Sequence, residues 1–253
     1  MENNNKKTYI IIASILALGF IIGAFIISGT WRKVASSNVT ITVTGSASKD
    51  IKSDLGIWEG AFSNEAPTLQ EAYAKLQASN GKVKSYLLSK GFAEDKIVFD
   101  AIGTATLYEQ KGRNEYGEYM GSSSGGKVIG YRLSQSVKIE SPDVDKIDLL
   151  SREVTELINQ GIEITSMPPR FLYTKLGDLK IEMIGLASID AKNRAEQIAK
   201  STGDAVGDVR SSKTGVMQVN AKNDTQVSDY GVNDTSSLEK TITAVVNISF
   251  SIK

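Results

Sequence analysis

At 253 residues, 41% of them hydrophobic, the chain is long enough for one large domain or two small ones with a real core. Its 29 basic and 29 acidic side chains leave no net charge, which argues against the basic excess of an electrostatic nucleic-acid binder. Cys and His are both absent. That excludes disulfides, thiolate nucleophiles, Cys or His zinc sites, Cys- or His-ligated haem and imidazole acid–base chemistry, so any enzyme would work with carboxylates, Lys, Ser/Thr or Tyr.

The first element is apolar. Tyr9 to Ser28 runs twenty positions without a charge, and at 1.5 Å per residue such a helix is about 30 Å long, the thickness of a bilayer core. A cleaved signal peptide is the alternative, because Lys6 and Lys7 form a basic leader. The apolar run is longer than the roughly 7–15 residues of a signal core, and Trp31-Arg32-Lys33 stands where a cleavage site belongs. The expected layout is therefore a short cytoplasmic tail (1–8), a single transmembrane anchor (9–28), a linker (29–38) and an extracytoplasmic domain (39–253), with secretion after cleavage as the runner-up. Lys6 and Lys7 balance Arg32 and Lys33, so flanking charge does not set the orientation.

Beyond the anchor, Val39, Ile41 and Val43 alternate with Thr as in a half-buried strand, and a second extended segment covers about 52–64. Thr68 and Glu71 form a capping box that opens a helix carrying Leu69, Ala72, Leu76, Val83 and Leu87, with Gly91 just past its end. An extended stretch, 96–108, leads to a Gly-rich loop at about 110–127. Tyr131, Leu133, Val137 and Ile139 then line one face of a strand.

Ser141 as cap and Pro142 at the first helical position open a second helix with the stripe Val144, Ile147, Leu150, Val154 and Leu157, and Gly161 ends it. A run from Ile162 to Lys175 is broken by Pro168-Pro169, which suggests an edge or a bulge. A third helix, about 179–202, carries Ile181, Ile184, Ala191, Ala195 and Ile198 before Gly203. A strand near 206–219, an Asn/Asp-rich loop over 220–237 and a closing strand with Ile242, Ala244, Val246, Ile248, Phe250 and Ile252 complete the chain. Strand, helix, Gly, strand occurs around the first and second helices and resembles a weak duplication. The expected fold is α+β: antiparallel sheets covered on one face by about three helices, preceded by the N-terminal transmembrane helix.

Candidate chemistry is sparse. Gly121 to Lys127 has the glycine and lysine spacing of a phosphate loop, but Val128 replaces the Mg²⁺-binding Ser/Thr and a strand pattern follows, so a hairpin loop is expected. Tyr108, Tyr116, Tyr119 and Met120 in and beside that loop are candidate contact residues for a partner. Neither Asp143/Asp145/Asp148 nor Asp224/Asp229/Asp234 has the order of a calcium loop. No catalytic residue, cofactor site or metal site is assigned.

These segments together resemble the SIMPL-domain family of anchored or secreted proteins, a domain of unknown function, over about Val39 to Ile252. Ile41 to Gly45 looks like its opening strand. Asp54 falls where the family usually has Pro-Asp, with Ser53 in place of Pro. Thr68 to Ala72 looks like its first helix start and Gly130-Tyr131-Arg132 like its strand after the variable loop. The most recognisable stretch is the helix of Asp190, Ala191, Arg194, Ala195 and Glu196, continued by Ala199. The resemblance implies an α+β fold. Some members form ring-shaped oligomers, others carry an oxidative-stress-defence label, and the name comes from an association with a signalling kinase. No catalytic residues come with the family, and without Cys or His any protective role would be indirect.

Two functions follow as expectations. The leading one is a non-enzymatic, membrane-anchored domain that self-assembles into a homo-oligomer or binds an unidentified protein partner, with no nucleic acid. The alternative is a carboxylate-based envelope hydrolase or small-ligand binder, which requires a concave pocket holding two acidic groups, at least one with a raised pKa.

Overall fold

The computed structural model describes residues 14–28, 39–109 and 126–253. The strands are β1 (Thr40–Lys52), β2 (Leu55–Ala66), β3 (Ile97–Phe99), β4 (Gly103–Tyr108), β5 (Val128–Ser141), β6 (Glu163–Ser166), β7 (Arg170–Leu172), β8 (Val206–Thr214), β9 (Gln218–Ala221) and β10 (Glu239–Ile252). The helices that follow β1 are α1 (Leu69–Ser89), α2 (Val144–Glu153) and α3 (Leu176–Thr202). The expected α+β class with antiparallel sheets is what the chain adopts.

Residues 14–28, the described part of the expected anchor, are helical, and Phe20 and Phe25 are largely exposed. Among the described residues no helix is long and apolar enough to cross a membrane; 9–13 and the 29–38 linker lie outside them.

The chain divides into two compact units. One takes the chain up to Lys49, Gly177–Gln218 and Thr243–Lys253; the other takes Asp50–Leu176 and Val219–Ile242. In the first, β10 lies between β1 and β8 and pairs antiparallel with β8. Its inward face is the expected alternation of Ala244, Val246, Ile248 and Phe250, and α3 lays its buried side chains here.

In the second unit β2 and β5 pair antiparallel, residues 56–66 against 131–141, and form the centre of a six-stranded sheet. On the far side of β5, β3 pairs with residues 137–139 and β4 with residues 128–134, so the two make up one edge. On the far side of β2, β6 and β7 make up the other. Trp58, Phe62, Leu133, Val137 and Ile139 from the sheet form one core with Leu76, Val83 and Leu87 of α1 and Ile147, Leu150 and Leu157 from α2 and its extension.

Local chemistry explains the elements. Thr68 caps α1, its hydroxyl accepting from the Glu71 N–H at 3.3 Å. All three helices reach a glycine with φ near +80°: Gly91, Gly161 and Gly203. In each, the N–H after the glycine bonds five residues back, Phe92 to Leu87, Ile162 to Leu157 and Asp204 to Ala199, which is the Schellman ending that favours glycine.

Several expectations are corrected. Leu69 does not join the α1 stripe but lies exposed; Ser79 takes the inward position instead. Asp143, not Ser141, caps α2: its carboxylate accepts from the Lys146 N–H at 3.1 Å, while the Ser141 hydroxyl accepts from the Asp143 N–H. The α2 helix proper stops at Glu153 and continues as a 3₁₀ helix, Val154–Gln160, which still buries Val154 and Leu157. The extended run 96–108 is divided at 100–102, where the Asp100 N–H bonds Ser136 and Gln135 bonds the Asp100 carbonyl. The expected strand 206–219 likewise splits into β8 and β9.

Candidate functional site

The family-motif residues of α3 lie within one unit and make a packing ridge. Leu179, Met183, Ala187, Ala191, Ala195 and Ala199, four apart, are buried. Opposite them β1 presents Gly45, where an added Cβ would collide with the Ala187 carbonyl and lie 2.7 Å from the Ala191 Cβ. Small residues on both elements bring helix and sheet backbone together. This corrects the apolar stripe expected for the helix: Ile181 and Ile198 face outward and Ile184 is half-buried, because the contact selects for size before hydrophobicity.

Asp190 fastens the same contact, its carboxylate accepting from the Ser46 N–H at 2.8 Å and from the Arg194 guanidinium at 2.7 Å. The Ser46 N–H outweighs the opposing effect of burial and, with a lesser contribution from Arg194, holds Asp190 below the usual carboxylate range. Glu196 lies 3.7 Å from Lys192 along the helix surface.

The other family-like positions are also structural ties. Asp54 accepts from both the N–H and the hydroxyl of Thr174, at 2.7 and 2.9 Å. Ser53, in the place of the family's Pro, uses its N–H on the Leu238 carbonyl, a bond Pro could not make. Gly130 allows β5 to approach the Ala66 carbonyl, and Arg132 pairs with Glu65 across the β2–β5 ladder.

A second cluster escaped the sequence reading. Lys240 is only 1% exposed, and its ammonium donates to the Asp234 carbonyl at 2.7 Å and carboxylate at 3.2 Å. Burial pushes the Asp234 carboxyl up, but the Ser236 hydroxyl and N–H, the Ser237 N–H and the Lys240 charge together hold it well below its ordinary value. A signal was present: Lys240 lies in phase with Ile242 and Ala244 on the inward face of β10. The cluster is a buried lock on the 234–240 turn. The remaining acidic residues of the two expected groups also have structural roles where partners are seen. Asp145 pairs with Lys52 at 2.5 Å and Asp148 with Arg152 at 2.6 Å, and Asp224 accepts from the Gln226 N–H. No cluster that could hold a metal occurs among the described residues.

The feature with the form of a binding surface is the β4 edge. β4 pairs with β5 on one side and, among the described residues, with nothing on the other. Above it, a groove of about 440 Å³ is lined by Leu69, Gln70 and Tyr73 of α1 with Ile102, Thr104 and Leu133. Leu69, Tyr73, Tyr108, Val128 and Ile129 are exposed apolar or aromatic residues of this same region. Of the expected contact residues, Tyr108 ends β4 at this edge, while Tyr116, Tyr119 and Met120 lie outside the described residues, as does most of the phosphate-loop-like segment. Lys127 leads into β5, a strand where a phosphate loop would require a helix.

The fold and its ties define a two-unit α+β domain whose distinctive residues serve packing. The chain belongs to the SIMPL family: the family model, described as a protein of unknown function (DUF541), matches residues 41–250. No curated protein matches the chain.

Proposed function

We propose that this SIMPL protein is a non-enzymatic, extracytoplasmic interaction domain, held at the membrane by residues 9–28 and acting by self-assembly or by binding a protein partner. The observation that carries the reading is the β4 edge with its apolar groove and exposed Leu69, Tyr73 and Tyr108. Exposed apolar surface is costly to leave in water, and an unpaired strand edge beside it is a template on which another chain can pair.

The carboxylates shifted from their ordinary range support the same reading. Glu94, Glu140, Asp190 and Asp234 all move down, opposite to the shift of a general acid, and each has a cation or N–H donor as partner. A role in envelope or oxidative-stress defence would then operate through assembly, since the chain has no thiol to oxidise.

The test is light scattering on the purified full chain in detergent, with the micelle mass subtracted, over a dilution and salt series. A discrete multimer, or a stoichiometric complex with a co-purifying protein, is expected. A monomer at every concentration that retains no partner would overturn the proposal.

A further inference from the structure

Among the sheet edges, β4 is the longest strand without a charge or a proline. β3 and β9 also lack both, but they are only three and four residues long, and shortness itself protects an edge. The β6–β7 edge carries Glu163, Arg170 and the Pro168-Pro169 break; β8 carries Asp208, Arg210 and Lys213; β1 has its Ser46 N–H taken by Asp190. Charges, prolines and capping side chains are the devices that keep an edge from pairing with another chain. β4 reads Gly-Thr-Ala-Thr-Leu-Tyr over 103–108, without a charge or a proline.

We propose that β4 pairs with β4 of a second copy, antiparallel about a two-fold axis through Ala105, so that two six-stranded sheets become one. The inference rests on the self-assembly reading above and names its interface. A second copy is favoured over an unrelated strand because the sequence is complementary to itself in this register. Gly103 faces Leu107 of the second copy, small against large, and Thr104 faces Thr106, a pair that can hydrogen-bond across strands. Ile102 faces Tyr108. No charge meets a like charge, and a two-fold contact satisfies both copies at once.

The groove fits the same register. Ile102 and Thr104 line it, and residues directly opposite on neighbouring strands point to the same face of a sheet. Tyr108 of the second copy therefore lies beside Ile102, under the exposed Leu69 and Tyr73 of α1. An extra residue in β5, at the shift between Leu107 and Tyr108, leaves β4 itself regular to its end. The pairing thus accounts for the open edge, the groove and the exposed Tyr108 together.

The absence of cysteine gives a direct test. Ala105→Cys places one thiol at the two-fold axis, facing its symmetry mate at a Cβ separation of about 4.5–5.5 Å. Ala78→Cys, exposed on α1, is the control for collision. With the full chain in detergent at sub-micromolar concentration, mild oxidation is expected to convert most of Ala105→Cys, and little of Ala78→Cys, to covalent dimer. Leu107→Lys should lower the native mass at least twofold, with its circular dichroism unchanged. If the chain is multimeric but Ala105→Cys fails to cross-link and Leu107→Lys keeps the wild-type mass, this interface is wrong and self-assembly stands. If the wild-type chain is monomeric, both fall.

Discussion

The substitutions with the clearest expected effect are those at buried polar ties and at glycines pressed against backbone. In the Lys240–Asp234 pair the cation is buried, at 1% exposure, and the carboxylate partly so, at 13%, so removing one partner leaves an uncompensated charge or an empty set of donors. Asp234→Ala should cost about 3–5 kcal/mol, the range for breaking a buried pair. Lys240→Met should cost less, because it removes the buried cation while Asp234 keeps Ser236 and Ser237. The pH dependence follows from the depressed carboxyl of Asp234. Its contribution is fully present above the unfolded value of about 3.9 and is lost as the pH falls through the lower folded value. Urea midpoints measured from pH 2 to 7 should therefore show a shallower acid-side decline in Asp234→Asn than in the wild type. Gly45→Ala makes the opposite kind of error, adding a methyl where the Ala187 carbonyl and Ala191 already sit. Neither backbone can yield easily, so a loss of about 1–3 kcal/mol is expected in the same assay. A wild-type midpoint for Gly45→Ala would show that β1 and α3 are less closely joined than described.

Among the elements, the three helices share an ending that can be tested as a set. Gly161 and Gly203 have no atoms within contact distance of an added Cβ, so only backbone strain opposes a side chain there. Alanine should cost about 1–2 kcal/mol at either site, and asparagine less, since Asn tolerates the left-handed conformation. Gly91 adds a contact, with Lys146 Nζ 3.0 Å from an added Cβ while it donates to the Gly91 carbonyl at 2.7 Å. Gly91→Ala should thus be the worst of the three in thermal unfolding, and equal losses would refute the argument. These endings, the Thr68 cap and the β10 alternation were legible in the sequence because each is written in residues within a turn or two of one another. What was not legible depended on distant partners. Ile181 and Ile198 read as core, yet Gly45, far away in sequence, selects the alanines. The break between β3 and β4 depends on Gln135 and Ser136 of β5, and Asp234 as partner of Lys240 depends on the turn between them. The β4 edge could not be read at all, since strand order is a property of the assembled sheet.

For the whole molecule the part of the proposal to test is that residues 9–28 hold the SIMPL domain at a membrane with its fold outside. The run from Tyr9 to Ser28 has no charge, and its described part, 14–28, is a helix with Phe20 and Phe25 exposed. Side chains of that size on an exposed helix lose contact with water when they meet lipid, at about 25 cal/mol per Å² buried. Flanking charge does not decide the orientation, because two basic residues stand on each side. The cysteine-free sequence allows it to be measured without a background. Asn3→Cys reports on the tail and Ala78→Cys on the folded domain, and both can be exposed to a membrane-impermeant maleimide in intact cells. With the domain outside, Ala78→Cys labels at once and Asn3→Cys labels only after the membrane is opened. The reverse pattern would put the domain in the cytoplasm and remove the extracytoplasmic part of the proposal. Labelling of Ala78→Cys on protein that has left the cells, with residues 1–28 missing by mass, would show instead that the segment is a cleaved signal. The self-pairing of β4 would survive either result, because a strand edge recognises a second copy equally well on both sides of a membrane.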